Sequence, residues 1–309
     1  MLESSVSSTT AARKVPRILR DPSAVDLCCL FRFTPHPSPR HSGPGGYSGS
    51  IRQGWPVSSF LLGRLPWENI AKVLAIAHRG ASGYAPENTL AAFRRAVTQG
   101  ISFIETDLHL TRDAHFVAIH DETVDRTTNG KGTVQSMTLA EIRRLDAGSW
   151  FASEFMSERI PTLDDVLEFA RKNDVVFYLE LKPSGFWGGE HALISQLRNS
   201  TEIARSVIIS FDPVILASLR KIEPTLMTGL LHDGKLANPF DKAVEIGARQ
   251  LAVRGDLVTP KFLQQARSLD LQVVCWTVNS PAHMRMLMSA GVDGIMSDYP
   301  DRLLSLLKK

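Results

Sequence analysis

Four short apolar runs in this chain each finish in groups that can carry charge or move a proton. Ala75-Ile76-Ala77 leads into His78-Arg79, Phe103-Ile104 into Glu105-Thr106-Asp107, Val117-Ala118-Ile119 into His120-Asp121, and Phe177-Tyr178-Leu179 into Glu180-Leu181-Lys182. Ionisable groups at the ends of buried strands lose hydration energy unless they are paired or bind something. Their repetition at four places points to a working site, because a core alone has no use for them.

Side chains two apart on a strand face the same way, so Glu105 and Asp107 project together, as do Glu180 and Lys182. Three carboxylates, Glu105, Asp107 and Glu180, can then meet at one mouth. Hard oxygen donors of this kind suit Mg²⁺ or Ca²⁺ better than zinc, which calls for His or Cys. Surface salt bridging is the plain alternative for any one of them, and three at strand ends beside two histidines argue against it. His78 and His120 fit proton transfer, since imidazole titrates near neutrality. Arg79 and Lys182 supply positive charge, and a guanidinium fork matches two phosphoryl oxygens. Together with a divalent ion they point to an anionic phosphoryl substrate, while neutralising the nearby carboxylates is a second role compatible with the first.

These groups need a scaffold that brings distant strand ends together. From about residue 73, β-rich runs cover Val73 to Ala77, Phe103 to Leu108, Phe116 to Ile119, Val175 to Leu181, Val207 to Phe211, Leu226 to Leu231, Gln250 to Val253, Gln272 to Val278 and Gly294 to Ser297. Helical patterns lie between most of them, as at Thr89 to Thr98, Leu163 to Lys172, Pro213 to Ile222, Pro260 to Ser268 and Pro281 to Ser289. Strands separated by helix-length segments imply parallel pairing. About eight such units in roughly 235 residues predict an α/β chain closed into a (β/α)8 barrel. Phe116 to Ile119 follows its predecessor too closely for a helix between, so a hairpin is expected there. Helix starts are expected with Asn88 as N-cap ahead of Thr89 and Leu90, with Thr162 before Asp164 and Asp165, and with Pro281 at a first helical position after Ser280.

The 309 residues carry a formal charge of +3. Residues 1–72 hold nine Lys/Arg against four Asp/Glu, and residues 73–309 hold 26 against 28. The basic excess is therefore confined to the N-terminal stretch, so no basic face can be inferred for the body from charge balance, which weakens a polyanion-binding reading, and no nucleic-acid partner is expected. Residues 1–70, rich in Ser, Pro, Gly and Arg, show no sustained period and read as a disordered extension ahead of a barrel domain at 71–309. Leu27-Cys28-Cys29-Leu30-Phe31 is too short for the apolar part of a signal peptide, and no run reaches the roughly 18 apolar residues of a membrane span. Cys28, Cys29 and Cys275 match no zinc or disulfide framework, so a reducing, cytoplasmic location is expected. The oligomeric state is not set by any of these features.

The motifs His78-Arg79-Gly80, Pro86-Glu87-Asn88-Thr89, Glu105-Thr106-Asp107, His120-Asp121 with Asp125-Arg126-Thr127-Thr128, Glu180-Leu181-Lys182 and Trp276-Thr277-Val278-Asn279 together resemble the glycerophosphodiester phosphodiesterases, over about residues 73–309. The resemblance implies a TIM barrel, Glu105, Asp107 and Glu180 as ligands of a divalent cation, His78 and His120 as the acid/base pair, and Arg79 and Lys182 as phosphate holders. It further implies a glycerophosphodiester as substrate, with glycerol 3-phosphate and an alcohol such as choline or ethanolamine as products. Trp276 is expected to stack beneath a glycerol face or a cationic head group, or to pack the barrel. The loop Ser184 to Gly189 either covers the substrate or simply connects. Where the family often has Asp-Gly, this chain has Asp113-Ala114-His115, so that turn cannot use glycine's freedom. No long insertion of the periplasmic type follows His120, which favours the cytoplasmic branch. A lysophospholipase D type activity and a non-catalytic phosphodiester-binding barrel are the rival readings.

Overall fold

Strands that read as unbroken apolar runs belong to sheets covered on both faces, because no position along them is left for water. The computed structural model of the chain describes residues 73–186 and 188–308. The expectations placed on residues 1–70, including the disordered extension, the Cys28-Cys29 pair and the domain boundary, fall outside these residues, as does Trp187.

Among the described residues the strands are β1 (Leu74–Ala77), β2 (Phe103–Leu110), β3 (Phe116–Ala118), β4 (Val176–Leu181), β5 (Ser206–Ser210), β6 (Met227–His232), β7 (Gln250–Arg254), β8 (Gln272–Trp276) and β9 (Gly294–Ser297). The helices are α1 (Leu90–Thr98), α2 (Leu139–Ile142), α3 (Leu163–Asn173), α4 (Glu190–Ser200), α5 (Pro213–Ile222), α6 (Pro239–Glu245), α7 (Pro260–Ser268), α8 (Pro281–Ala290) and α9 (Pro300–Leu307). All strands except β3 pair in parallel in chain order, and β9 returns to β1, so eight strands close into a barrel. This is the TIM barrel that the alternation of elements predicts. β3 runs antiparallel to β2 with Leu110 opposite Phe116, which is the expected hairpin.

Side chains alternate across each strand. Leu74, Ile76, Tyr178, Ile209, Ala252, Val274 and Met296 form one buried cluster inside the barrel. Their neighbours Ile104, Leu179, Ile208, Val253 and Ile295 join helix residues such as Phe93, Leu167 and Leu216 in the outer core. Residues between β3 and α3 carry a small core of their own, with Val117, Val124, Val134, Ile142 and Ile160 buried together.

Local signals set the helix starts. Thr162 and Asp165 form a reciprocal capping box at α3, and Pro281 occupies the first position of α8. One expectation fails: α1 is capped by Thr89, whose hydroxyl accepts the Ala92 N–H at 3.3 Å, and not by Asn88. Asn88 lies in the left-handed region at φ 56° and its amide is spent elsewhere. No helix among the described residues is long and apolar enough to cross a membrane.

Candidate active site

The interior face of each strand continues past the last apolar layer. Two residues beyond Ile76, Tyr178, Val274 and Met296 come His78, Glu180, Trp276 and Asp298, all at the C-terminal mouth where barrel enzymes carry their chemistry. Glu105 and Asp107 join them from β2, and the register sets Asp107 directly against Glu180 of β4. The structure thus brings together carboxylates that are 75 residues apart in sequence at their extremes, Glu105 and Glu180.

One oxygen from each of Glu105, Asp107 and Glu180 lies within 4.8 Å of the other two, and all three residues are buried. Glu105 is 1% exposed, its Oε2 accepts the Arg79 backbone N–H at 2.8 Å, and its Oε1 has no hydrogen-bond partner. Asp107 accepts from Asn88 Nδ2 at 2.8 Å and lies 3.2 Å from Arg79 Nε and 2.6 Å from Lys182 Nζ. Lys182 also pairs closely with Glu180. Burial, then the charges on Asp107 and Glu180, raise the Glu105 pKa well above the usual carboxylate range. Burial and Asp107 push Glu180 up to about 7, against the pull of Lys182. Asp107 moves the other way, because Lys182 and Arg79 together outweigh its burial. Three acids share two fixed cations in a buried site, and a carboxylate oxygen left without a donor there has the chemistry of a hard-cation ligand. The three residues fit a divalent ion.

Both histidines are anchored by the same device. His78 Nδ1 donates to Asp298 Oδ1 at 2.7 Å, since a carboxylate can only accept, and its Nε2 is left 3.9 Å from Glu105 Oε2 and 3.4 Å from Thr277 Oγ1. Asp298 is held in turn by Ser82 and Asn279 at 3.0 and 2.6 Å. Burial would raise its pKa, but His78 first, then Asn279 and Ser82, bring it down to about 2. His120 Nδ1 donates to Asp121 Oδ1 at 2.7 Å, and Arg126 clamps Asp121 and Glu87 through contacts of 2.8 to 3.0 Å. Burial lowers the His120 pKa, aided by Lys182 and Arg79 and opposed by Asp107. Each imidazole therefore presents Nε2 with its tautomer fixed by a carboxylate behind it.

The loop after β1 shapes this mouth at some cost. Arg79 (φ 55°) and Asn88 (φ 56°) sit in the left-handed region, a strain of about 1 kcal/mol each that clusters where geometry is functional. Gly80 between them is obligatory, since a Cβ there would lie 2.6 Å from Ala92 Cβ. Asn88 uses its side chain to accept from Thr106 Oγ1 at 2.7 Å and from the Asp107 N–H at 3.2 Å.

All eight predicted site residues lie at this mouth, though Arg79 and Lys182 are engaged with the acids. Trp276 is half-buried, donates to the Ala252 carbonyl at 2.8 Å and meets Phe211 edge-on at 5.6 Å, which is its packing role. In the Ser184 to Gly189 loop, Phe186 is buried against Phe116 in the outer core. Sequence reasoning gave no role in the site to Asp298, nor to Asp121, Arg126, Glu87 and Asn88, which it quoted only as motif residues, with Asn88 read as a helix cap. For Asp298 a signal existed, as it continues the inward alternation of Gly294 and Met296 past the end of β9.

Similar proteins carry the same framework. The model of the family described as glycerophosphoryl diester phosphodiesterase matches residues 78–302. The glycerophosphodiester phosphodiesterase of Caldanaerobacter subterraneus subsp. tengcongensis is 41% identical over 241 residues, covering 77% of this chain and 99% of that protein. Glycerophosphodiester phosphodiesterase 1 of Bos taurus is 30% identical, over 68% of this chain and 72% of its own. Among solved structures, a phosphodiesterase from Oleispira antarctica in complex with the product sn-glycerol-3-phosphate superimposes with a TM-score of 0.71 at 30% identity, over 76% of this chain and 97% of that one. The barrel, its mouth and these likenesses lead to one family: the chain belongs to the glycerophosphoryl diester phosphodiesterases, and so to the phosphoric diester hydrolases.

Proposed function

We propose that the protein hydrolyses glycerophosphodiesters to glycerol 3-phosphate and an alcohol, with a divalent cation, Mg²⁺ or Ca²⁺, held by Glu105, Asp107 and Glu180. The observation that carries this reading is the buried cluster of Glu105, Asp107 and Glu180, which offers one oxygen from each residue within 4.8 Å of the other two and in which Glu105 Oε1 has no hydrogen-bond partner. When bound, such a cation supplies positive charge to the phosphoryl oxygens. Arg79 and Lys182 stand beside the same carboxylates and add donors for the phosphate. One of His78 and His120 takes the proton of the attacking oxygen and the other protonates the departing alcohol. Where water attacks, glycerol 3-phosphate forms directly; where the neighbouring glycerol hydroxyl attacks, a cyclic phosphodiester forms that a water molecule, deprotonated in the same way, then opens to glycerol 3-phosphate. Asp298 and Asp121 hold each ring so that Nε2 faces the reaction. Trp276, at the mouth on β8, offers a face to the glycerol or the head group. The free, buried thiol of Cys275 fits a reducing compartment, and we place the protein in the cytoplasm.

Glycerol 3-phosphate release from several glycerophosphodiesters, across a panel of metals and with chelator, tests the reading. Turnover that needs a divalent ion and drops roughly 10²- to 10⁴-fold in His78→Ala and in His120→Ala supports it. Near-normal turnover in either variant removes that residue from the mechanism, and chelator-resistant turnover removes the cation.

A further inference from the structure

Behind His120 the mouth carries a run of charged side chains that the proton transfers themselves do not call on. His120 Nδ1 donates to Asp121 Oδ1 at 2.7 Å. Arg126 grips Asp121 with one edge of its guanidinium, Nε to Oδ2 at 2.8 Å and Nη2 to Oδ1 at 3.0 Å. With its other edge it grips Glu87, Nη1 to Oε2 and Nη2 to Oε1, both at 2.8 Å. Glu87 Oε1 also accepts from Arg79 Nη1 at 2.8 Å. The contacts therefore run without a break from His120, on the loop after β3, to the loop after β1.

The two ends of that run are not equally firm. Glu87 is 14% exposed and precedes Asn88, whose side chain is bonded to Thr106 and Asp107, while the Thr89 hydroxyl donates to the Pro86 carbonyl at 2.7 Å. The His120 backbone is pinned as well, since its carbonyl accepts from His109 Nε2 at 3.1 Å. Asp121 is the looser member, with 29% of its side chain exposed and its oxygens accepting from His120 and Arg126. A single ion pair at that exposure holds a geometry weakly. Four contacts from one rigid fork are different, because they fix the planes of both carboxylates at once, which an ammonium cannot do. Arg126, against burial and with help from His120, also holds Asp121 well below the usual carboxylate range, so Asp121 stays an acceptor and keeps a His120 proton on Nδ1. We infer that Arg126, with Glu87 as its fixed point, is a positioning residue for His120: it holds Asp121 in the plane that keeps the imidazole turned with Nε2 toward the reacting phosphodiester. The inference rests on the hydrolysis in which His120 moves a proton.

The test places Arg126→Ala and Arg126→Lys in the full-length chain and in His120→Ala, and follows glycerol 3-phosphate release with a divalent ion present. Arg126→Ala is expected to lower kcat about 10- to 100-fold, the scale for a partner that orients a functional side chain. KM is expected to stay within about threefold, because an interaction felt only in the transition state moves kcat and kcat/KM together. Arg126→Lys keeps the charge without the fork and is expected to lose about 10-fold. In His120→Ala the same substitutions are expected to cost less than about threefold, since groups that act as a unit are not additive. A kcat within about twofold of wild type in Arg126→Ala overturns the inference, as does a loss of equal size with and without His120, because a purely structural loss multiplies through both backgrounds. Should Arg126→Ala not fold, Arg126→Lys carries the same comparisons. A wild-type chain that releases no glycerol 3-phosphate from any diester overturns the hydrolysis and the inference with it, whereas an active wild type beside unaffected Arg126 variants overturns the positioning role alone.

Discussion

At the scale of single residues, the site is a set of reactive groups each steadied by a quieter one, and the quieter ones give the sharper tests. Asp298 does two things: it fixes the His78 tautomer and it favours a positive ring after proton uptake. Asp298→Asn keeps the size and the Asn279 and Ser82 neighbours, so the fold survives while kcat falls roughly 10²-fold or more. Steady-state kinetics beside a melting curve checks this, and unchanged kcat denies Asp298 that role. Its ordinary pKa of 3.8 drops to about 2 in the fold. Asp298 therefore stabilises the protein above about pH 4, and that contribution disappears as pH falls through 2. Acid unfolding of Asp298→Asn is expected to show a shallower dependence in that window. Asn88 steadies Asp107 in the same manner through bonds at 2.8 and 3.2 Å. Asn88→Gly keeps the left-handed backbone at no steric cost and deletes only the amide, so Mg²⁺ affinity by calorimetry is expected to fall about 10- to 100-fold. These partners were hard to foresee because their contacts are non-local: 220 positions separate His78 from Asp298, and no local period pairs them.

At the scale of elements, the strand ends announced themselves because alternation and burial write directly into sequence, as at Glu105 and Asp107 on one face of β2. The hairpin of β2 and β3 followed from the mere shortness of the link. Capping of α1 was misread because Asn88 and Thr89 are both good N-cap residues, and propensity does not say which of them a distant carboxylate will claim. The hairpin turn bears out the concern over Asp113-Ala114-His115: Ala114 adopts φ 60°, a conformation that glycine takes freely. Ala114 is exposed, and the turn's bonds from Ala114 N–H to Thr111 and from Thr111 N–H to His115 are backbone bonds that any residue keeps. Ala114→Gly is expected to relieve about 1–2 kcal/mol of strain and to lose part of that through greater freedom of the unfolded chain. The net gain of about 0.5 kcal/mol raises Tm by roughly 1–2 °C. A lower Tm in Ala114→Gly means that the turn carries no relievable strain.

At the scale of the whole molecule, the barrel holds like charges together that would separate if the chain unfolded, and stability must therefore answer to both pH and metal. Glu180 titrates near 7 in the fold against an ordinary 4.5, and Glu105 is raised too. A raised carboxyl means that the folded state binds more protons than the unfolded chain between about pH 4.5 and 7. Stability then falls as pH rises through that window and stays lowered above it. A divalent cation needs the ionised carboxylates, so its stabilisation grows over the same range instead of shrinking. At a metal concentration of about 100 times Kd the gain is about 2.7 kcal/mol, or roughly 5–10 °C in Tm for a domain of this size. Melting curves with chelator and with Mg²⁺, taken at about pH 5.5 and about pH 8, separate these effects. The interval between the two curves is expected to be small at the lower pH and several degrees at the higher. A metal increment that does not change with pH would show that Glu105, Asp107 and Glu180 are not the groups that the cation meets.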